Sequence, residues 1–218
     1  LVLYAPNKDF VHVIGDFNNW ETNNSYLLKR NASAERYWIQ LDGIEKGKEY
    51  AFQYLINGTL AVADPYTEKI LDPNNDQYIP TNTYPNLKTL PSTIKTIASV
   101  FQTGQTAYAW KNTNFKRPAK EDLVIYELHV RDFVANKNYQ AVIDTLSYVK
   151  KLGVNAIELM PVQEFTGDDS WGYNPIFYFA PDKAYGTKDD LKRFIDKCHE
   201  LGIAVLMDMV FNQADYEF

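Results

Sequence analysis

The 218 residues are 45% hydrophobic and carry 22 basic against 28 acidic side chains, a formal net charge of -6. That apolar content suits one larger core or two small domains and excludes a disordered chain. With no basic block and no run near the ~18 apolar residues of a membrane span, the chain has no footprint for nucleic acid or an anionic membrane.

The chain starts with Leu1, and Leu1-Val2-Leu3 already reads as part of a strand, which implies a processed or trimmed start. Short strands rich in β-branched and aromatic residues come next at Phe10 to Ile14, Tyr26 to Lys29, Arg36 to Leu41, Tyr50 to Ile56 and Leu60 to Ala63. Turn signals separate them, the strongest being Asn57-Gly58, since a type I′ turn needs positive φ at both central positions. This pattern predicts an antiparallel β-sandwich. From Asp64 to about Lys120 prolines recur and periodicity fades, apart from a short helix near Ile94 to Phe101. The stretch reads as connection packed along a surface, with Tyr66, Tyr78 and Tyr84 lying on a neighbouring domain.

After Lys120 the pattern becomes strand, helix, strand, helix, strand. Leu123 to Val130 is nearly continuous apolar; Val142, Ile143, Leu146 and Val149 keep helical spacing; Val154 to Met160 is the second strand, with Gly153 closing the helix before it. Thr187 and Asp190 form a capping signature for a helix over Leu191 to Leu201, and Ile203 to Phe211 is the third strand. Strands buried on both faces and joined by helices make a parallel sheet. Periodicity leaves a (β/α)8 barrel and a doubly wound sheet both open. Polar residues after each strand, Arg131 and Asp132, Gln163 and Glu164, Asn212 and Gln213, lean towards the barrel, whose sites form at that edge. No glycine-rich phosphate loop comes after any strand. Cys198, the only cysteine, falls on an apolar helix face and reads as a buried thiol.

The segment Val11-His-Val-Ile-Gly-Asp-Phe-Asn-Asn-Trp20, with Asn57-Gly58 and Asp64-Pro65-Tyr66, resembles carbohydrate-binding module family 48. Tyr126-Glu-Leu-His-Val-Arg-Asp-Phe133, Glu158-Leu-Met-Pro-Val-Gln-Glu-Phe165, Trp171-Gly-Tyr-Asn-Pro175 and Asp208-Met-Val-Phe-Asn212 resemble consecutive motifs of glycoside hydrolase family 13. The resemblance implies an immunoglobulin-like module over residues 1–85, a linker over 86–120, and over 121–218 the first three strands of a parallel (β/α)8 TIM barrel. It also implies a retaining enzyme acting on α-glucan (starch, glycogen or maltooligosaccharide), whose nucleophile and acid stand about 5 Å apart. In that family the two carboxylates lie after the fourth and fifth strands, so this chain holds no catalytic carboxylate and is expected to be inactive as given. Three strands leave an open edge, which implies that the chain is part of a longer protein.

The same resemblance assigns substrate contact to Tyr173, whose ring stacks on the sugar, and to its neighbour Trp171. It makes Asp208 an ordering carboxylate paired with an arginine of the fourth strand, expected here to lack that partner. Asn212 matches a calcium ligand of many amylases, so calcium is a possible cofactor. Gln213 stands where the family has a histidine that donates to a sugar hydroxyl. Trp20 matches a glycan-stacking tryptophan, but the second ring of that platform is replaced by Leu60. His129 reads as a satisfied barrel-mouth residue, His12 and His199 as surface or packing positions, and Glu127, Asp132, Glu158 and Glu164 as carboxylates without a catalytic role. Branching, debranching and non-catalytic glycan-binding proteins remain alternatives to the hydrolase.

Overall fold

A computed structural model describes residues 1–33 and 35–215; the last three residues of the 121–218 span lie outside the described residues. The chain forms two compact units, one of Leu1–Asp76 with Lys88–Thr106, the other of Gln77–Leu87 with the chain from Ala107 onward. This partition differs from the expected module, linker and barrel boundaries. Residues 77–87 belong with the second unit, and residues 88–106 complete the first.

The first unit contains β1 (Val2–Tyr4), β2 (Val11–Gly15), β3 (Lys29–Arg30), β4 (Arg36–Trp38), β5 (Glu49–Ile56), β6 (Leu60–Val62), β7 (Ile70–Leu71) and β8 (Ala98–Gln102). One sheet has the order β1-β4-β3; the other has β2-β5-β8-β7, with β6 also on β5. All these pairs are antiparallel. Alternation sends Leu3 and Tyr37 from one sheet and Val11, Val13, Phe52 and Tyr54 from the other into a shared core. β5 is the spine: β2 pairs along one edge, while β8 takes the first half of the other edge and β6 the second. The β5–β6 turn is the expected type I′, with Asn57 at φ 51° and Gly58 at φ 74°. Thr59 N–H closes it on the Ile56 carbonyl at 3.1 Å.

The helix expected near Ile94 to Phe101 is instead β8, and the supposed connection is core. Ile70, Leu71 and Ala98 are buried to 1% exposure or less. Their pairing partners lie far away in sequence, so local spacing of Ile94, Ile97 and Phe101 imitates a helix that the sheet overrides. Tyr66 and Tyr78, expected on a neighbouring domain, are more than 70% exposed.

The second unit contains β9 (Ile125–Leu128), α1 (Val130–Phe133), α2 (Tyr139–Lys151), β10 (Ala156–Leu159), β11 (Gln163–Phe165), β12 (Pro175–Pro181), α3 (Lys188–Glu200) and β13 (Ala204–Met207). β9, β10 and β13 lie side by side in chain order and are parallel, with β10 central. Asn138 caps α2 by accepting from Ala141 N–H at 2.9 Å. Thr187 and Asp190 form the expected reciprocal box at the start of α3. The apolar faces of both helices, Val142, Leu146, Val149, Leu191, Phe194 and Cys198, close on Leu128, Ile157 and Leu159 of the sheet. Burial pushes the Cys198 thiol well up, keeping it protonated. The other sheet face is not covered as the sequence suggested: Ile125 is 47% exposed there. The third strand also ends early, at Met207, short of the expected Phe211.

Two features were not visible in the sequence. β11 and β12 pair as an antiparallel hairpin with irregular register after the second parallel strand. Its base is held by a buried ion pair, Lys183 Nζ to Glu164 Oε1 at 2.6 Å, so Glu164 is structural. The neighbouring Asp182 accepts from Ala184 N–H at 2.7 Å and Phe165 N–H at 3.3 Å. Burial raises the pKa of Asp182 despite the nearby Lys183 charge.

On α3, Asp196 anchors the segment before β9. It accepts from Tyr108 Oη at 3.2 Å, from Lys111 N–H and Asn112 N–H at 2.9 Å each, and from Asn112 Nδ2 at 3.0 Å. One turn on, His199 stacks on Phe115 with ring centroids 4.1 Å apart. Burial alone would raise the Asp196 pKa, but these hydrogen bonds outweigh it and hold the carboxyl below its usual value. Because the folded pKa is depressed, its contribution is present above the unfolded value of about 3.9 and fades as pH falls through the folded one. Asp196→Asn is therefore expected to destabilise at neutral pH, with the gap from wild type narrowing below about pH 4 in urea melts. Phe194→Ala, which empties a fully buried site, is expected to cost about 3–5 kcal/mol at every pH.

Candidate functional site

The three parallel strands end level. Leu159 pairs with Leu128 on one side and Met207 on the other, and Asp208 N–H continues the ladder to the Leu159 carbonyl at 2.9 Å. The residues just past the three strand ends therefore emerge at one edge.

After β9, His129 is buried between two partners: Nε2 lies 3.0 Å from Tyr185 Oη and Nδ1 lies 3.0 Å from Asp132 Oδ2. Asp132 is also bound by Arg131 Nε at 2.8 Å. The Arg131 guanidinium, then His129, hold the Asp132 carboxyl down at about 2. Arg131 reaches on to Asp169, tying the first strand's end to the loop that joins β11 and β12. His129 is thus a buried strand-end residue, hydrogen-bonded at Nε2 and close to the Asp132 carboxylate at Nδ1.

That loop carries Trp171, Gly172 and Tyr173. Gly172 sits at φ 87°, and a Cβ there would lie 2.6 Å from the Pro161 carbonyl oxygen. Only glycine allows both the left-handed backbone and this approach. Ser170 Oγ receives Gly172 N–H at 3.0 Å and donates to Asn174. The rings on either side face outward, Trp171 60% exposed and Tyr173 38%.

Asp208, whose expected arginine partner is absent from this chain, accepts a hydrogen bond from the Tyr173 hydroxyl at Oδ2, 2.6 Å. β13 ends at Met207, so the half-buried carboxylate stands just past the strand tip and within reach of the loop. The hydrogen bond to Asp208, then burial and the charges of Asp208, Glu127 and Glu158, push the Tyr173 phenol up to about 12. Glu127 and Glu158 are register partners on β9 and β10 and act on the site through charge alone.

Gln213 also turns to this loop. Its amide Nε2 donates to the Tyr173 carbonyl, and its own carbonyl accepts from Tyr178 Oη at 2.8 Å. Gln163, in β11, accepts Val210 N–H at 3.2 Å and donates to the Tyr178 carbonyl at 3.2 Å. Thr166 Oγ1 donates to Asp215 at 2.7 Å. The post-β13 segment and the hairpin are thus laced together by Gln163, Thr166 and Tyr178. Only Gln163 was marked in the sequence, by its place after the second strand; Thr166 and Tyr178 carry no signal, because each bond joins positions far apart in the chain.

Asn212 is exposed, with Nδ2 3.4 Å from Gln213 Oε1. Among the described residues no group of three or more His, Cys, Asp or Glu could hold a metal ion. In the sandwich unit, Trp20 lies outside the core cluster, half-buried at φ 63°. Its Nε1 points to Asp16 Oδ1 at 3.3 Å. Leu60 is 51% exposed on β6. His12 is buried and meets Phe10 edge-on.

A β-sandwich ahead of consecutive parallel strands, with an exposed aromatic and carboxylate cluster at their carboxyl edge, defines the class as a module joined to a β/α catalytic-type domain. The profile described as alpha amylase, catalytic domain, matches residues 99–218, and that of carbohydrate-binding module 48, the isoamylase N-terminal domain, matches residues 1–67. The chain belongs to the α-amylase family of glycoside hydrolases. It is 33% identical over 220 residues to the 1,4-alpha-glucan branching enzyme GlgB of Aliivibrio fischeri, covering 96% of this chain and 28% of that protein. It is 38% identical over 110 residues to malto-oligosyltrehalose trehalohydrolase of Saccharolobus solfataricus, 50% of this chain and 20% of that protein. Among solved structures, a putative alpha amylase from Salmonella typhimurium superposes with a TM-score of 0.75 at 28% identity, covering 100% of this chain and 32% of that one. The Group B Streptococcus pullulanase SAP, solved with maltotetraose, gives 0.72 at 26% identity, covering 98% and 32%. The chain thus spans under a third of the length of these curated relatives.

Removing the Asp208 charge tests the pair directly. Asp208→Asn is expected to bring the Tyr173 phenol down from about 12 towards the ordinary value of about 10. Phenolate absorbance, with Tyr173→Phe subtracted, reads this; an unchanged titration would show that the pair does not form in solution.

Proposed function

We infer that this chain supplies the module and the first substrate-contacting strand ends of a retaining hydrolase acting on α-glucans such as starch, glycogen or maltooligosaccharides. The observation that carries this reading is Tyr173: its hydroxyl is fixed by Asp208 at 2.6 Å while its ring stays 38% exposed beside Trp171. A ring oriented by a hydrogen bond at one end and open on its face suits a sugar's apolar C–H surface. Asp208 is a positioning carboxylate here, and Gln213 orders the same loop through the Tyr173 carbonyl. In a histidine's place it donates a hydrogen bond without carrying charge.

Glycoside bond exchange with retention needs a nucleophile and an acid about 5 Å apart. The resemblance puts both after strands that the 218 residues do not include, so this reading makes the chain by itself an inactive glucan binder. A transferase reading is the alternative, supported by the alignment of a branching enzyme along 96% of the chain, module included. In the module, Trp20 spends its indole N–H on Asp16, and a single ring without an aromatic at Leu60 makes a weak platform.

Maltotetraose titrated into the purified chain is expected to bind weakly, with Tyr173→Ala reducing affinity about tenfold and Trp20→Ala changing it little. Incubation with starch is expected to release no reducing ends. Absence of any maltotetraose binding would reject the glucan reading, and release of sugar would reject the inactivity.

A further inference from the structure

Where α3 returns the chain to the amino end of β13, the second unit holds a cavity of about 290 Å³. It is lined by Lys111, Asn112, Thr113, Asn114 and Phe115 of the segment before β9 and by His199 of α3. Both walls are fixed from behind. Asp196, one turn before His199, takes the Lys111 and Asn112 N–H groups at 2.9 Å and Asn112 Nδ2 at 3.0 Å. The Phe115 and His199 rings lie parallel, 3° apart in plane. The groups that line the space are left over: among the described residues no hydrogen bond or ion pair engages Lys111 Nζ, the Thr113 hydroxyl, the Asn114 amide or either His199 nitrogen.

The lining chemistry selects an anion. No carboxylate is among the lining residues. Asp196 is buried and saturated by four donors, and Glu200 is paired with Lys197. A helix carboxyl end by itself disfavours an anion, but the carbonyls of Lys197, Cys198 and His199 are already taken by Leu201, Gly202 and Ile203 N–H groups. Positive charge gathers here instead: residues 111–120 carry Lys111, Lys116, Arg117 and Lys120 and no carboxylate, in a chain of net charge -6. A carboxylate ligand would bring two oxygens to these donors, whereas a phosphate monoester brings three and more charge. The volume stands at the small end of small-molecule sites, about 300–1,000 Å³, with room for a short organic body.

We propose that this cavity binds a small phosphate monoester, with Lys111 Nζ, the Thr113 hydroxyl and an imidazole N–H of His199 on the phosphate oxygens and the Asn114 amide on hydroxyls of the organic body. None of these residues belongs to the Tyr173 cluster, so the site stands apart from the glucan reading. A bound ester bridges α3 to the segment that leads into β9. Burial holds His199 below the usual imidazole value, against the pull of the Asp196 charge. A phosphate beside it favours the imidazolium and raises that value.

Glycerol 3-phosphate, inorganic phosphate and glycerol, each titrated into isotope-labelled protein at constant ionic strength, test the site through amide and imidazole chemical shifts. The expected result is saturable shifts at Lys111, Thr113, Asn114 and His199 with glycerol 3-phosphate, weaker binding of inorganic phosphate, none of glycerol, and a rise in the His199 pKa on binding. Lys111→Met keeps the backbone N–H on Asp196 and is expected to weaken binding about tenfold, the loss of one charge-assisted hydrogen bond. His199→Phe keeps a ring on Phe115 and serves as the independent variant. Shifts that fail to saturate with both phosphate probes would overturn the site. Inorganic phosphate binding as tightly as the ester would overturn the organic body, and glycerol binding as tightly would overturn the choice of an anion. Unchanged affinity in both variants would overturn the assigned contacts.

Discussion

Everything at the functional edge of the second unit depends on β10 being paired in parallel on both sides. Parallel neighbours cannot be joined by a tight turn, so each step costs a crossover, and α2 and α3 supply them. The crossovers bring apolar helix faces onto Leu128, Ile157 and Leu159, and that burial fixes the register. With Leu128, Leu159 and Met207 side by side, the polar residues after each strand have one place to go. His129 and Asp132, the Trp171 to Asn174 loop, and Asp208 to Gln213 meet because the strands are level.

A second constraint is that three buried carboxylates in this unit are each answered. Glu164 meets Lys183, Asp182 meets the Phe165 and Ala184 amides, and Asp196 meets four donors from the segment that precedes β9. Stranding any one of these in the interior would cost more than the pair contributes, so the partners restrict where the hairpin and that segment can lie. The exposed aromatics at the edge sit on this rigid base. Tyr173 is held at its hydroxyl by Asp208, at its carbonyl by Gln213 and through its neighbour Gly172 by the tight approach to Pro161.

Much of this was legible in the chain because it is local. The cap at Thr187, the helical spacing of Val142, Leu146 and Val149, and the Asn57-Gly58 turn each act within a few residues. The family motifs also picked out Trp171, Tyr173, Asp208 and Gln213, which the structure gathers at one edge. Asn212 lies exposed on the same segment, and Trp20 and Leu60 belong to the other unit. The hairpin β11–β12 escaped notice because Pro175 and Pro181 mark its second strand and its register is broken. β7 escaped because two residues carry no period.

By itself, then, the sequence determined the two long helices, the sandwich ahead of a parallel β/α unit, and the residue types available at the strand ends. These stem from backbone sterics, capping and apolar periodicity, which operate over one or two turns. The tertiary structure alone decided that residues 88–106 complete the sandwich while 77–87 join the second unit, that Asp208 takes a tyrosine as its partner, and that Gln213 turns inward to the Tyr173 backbone. Those outcomes rest on contacts between positions 35 to 40 residues apart. No local propensity encodes such contacts, because only packing of the whole unit determines which distant groups come within hydrogen-bond reach.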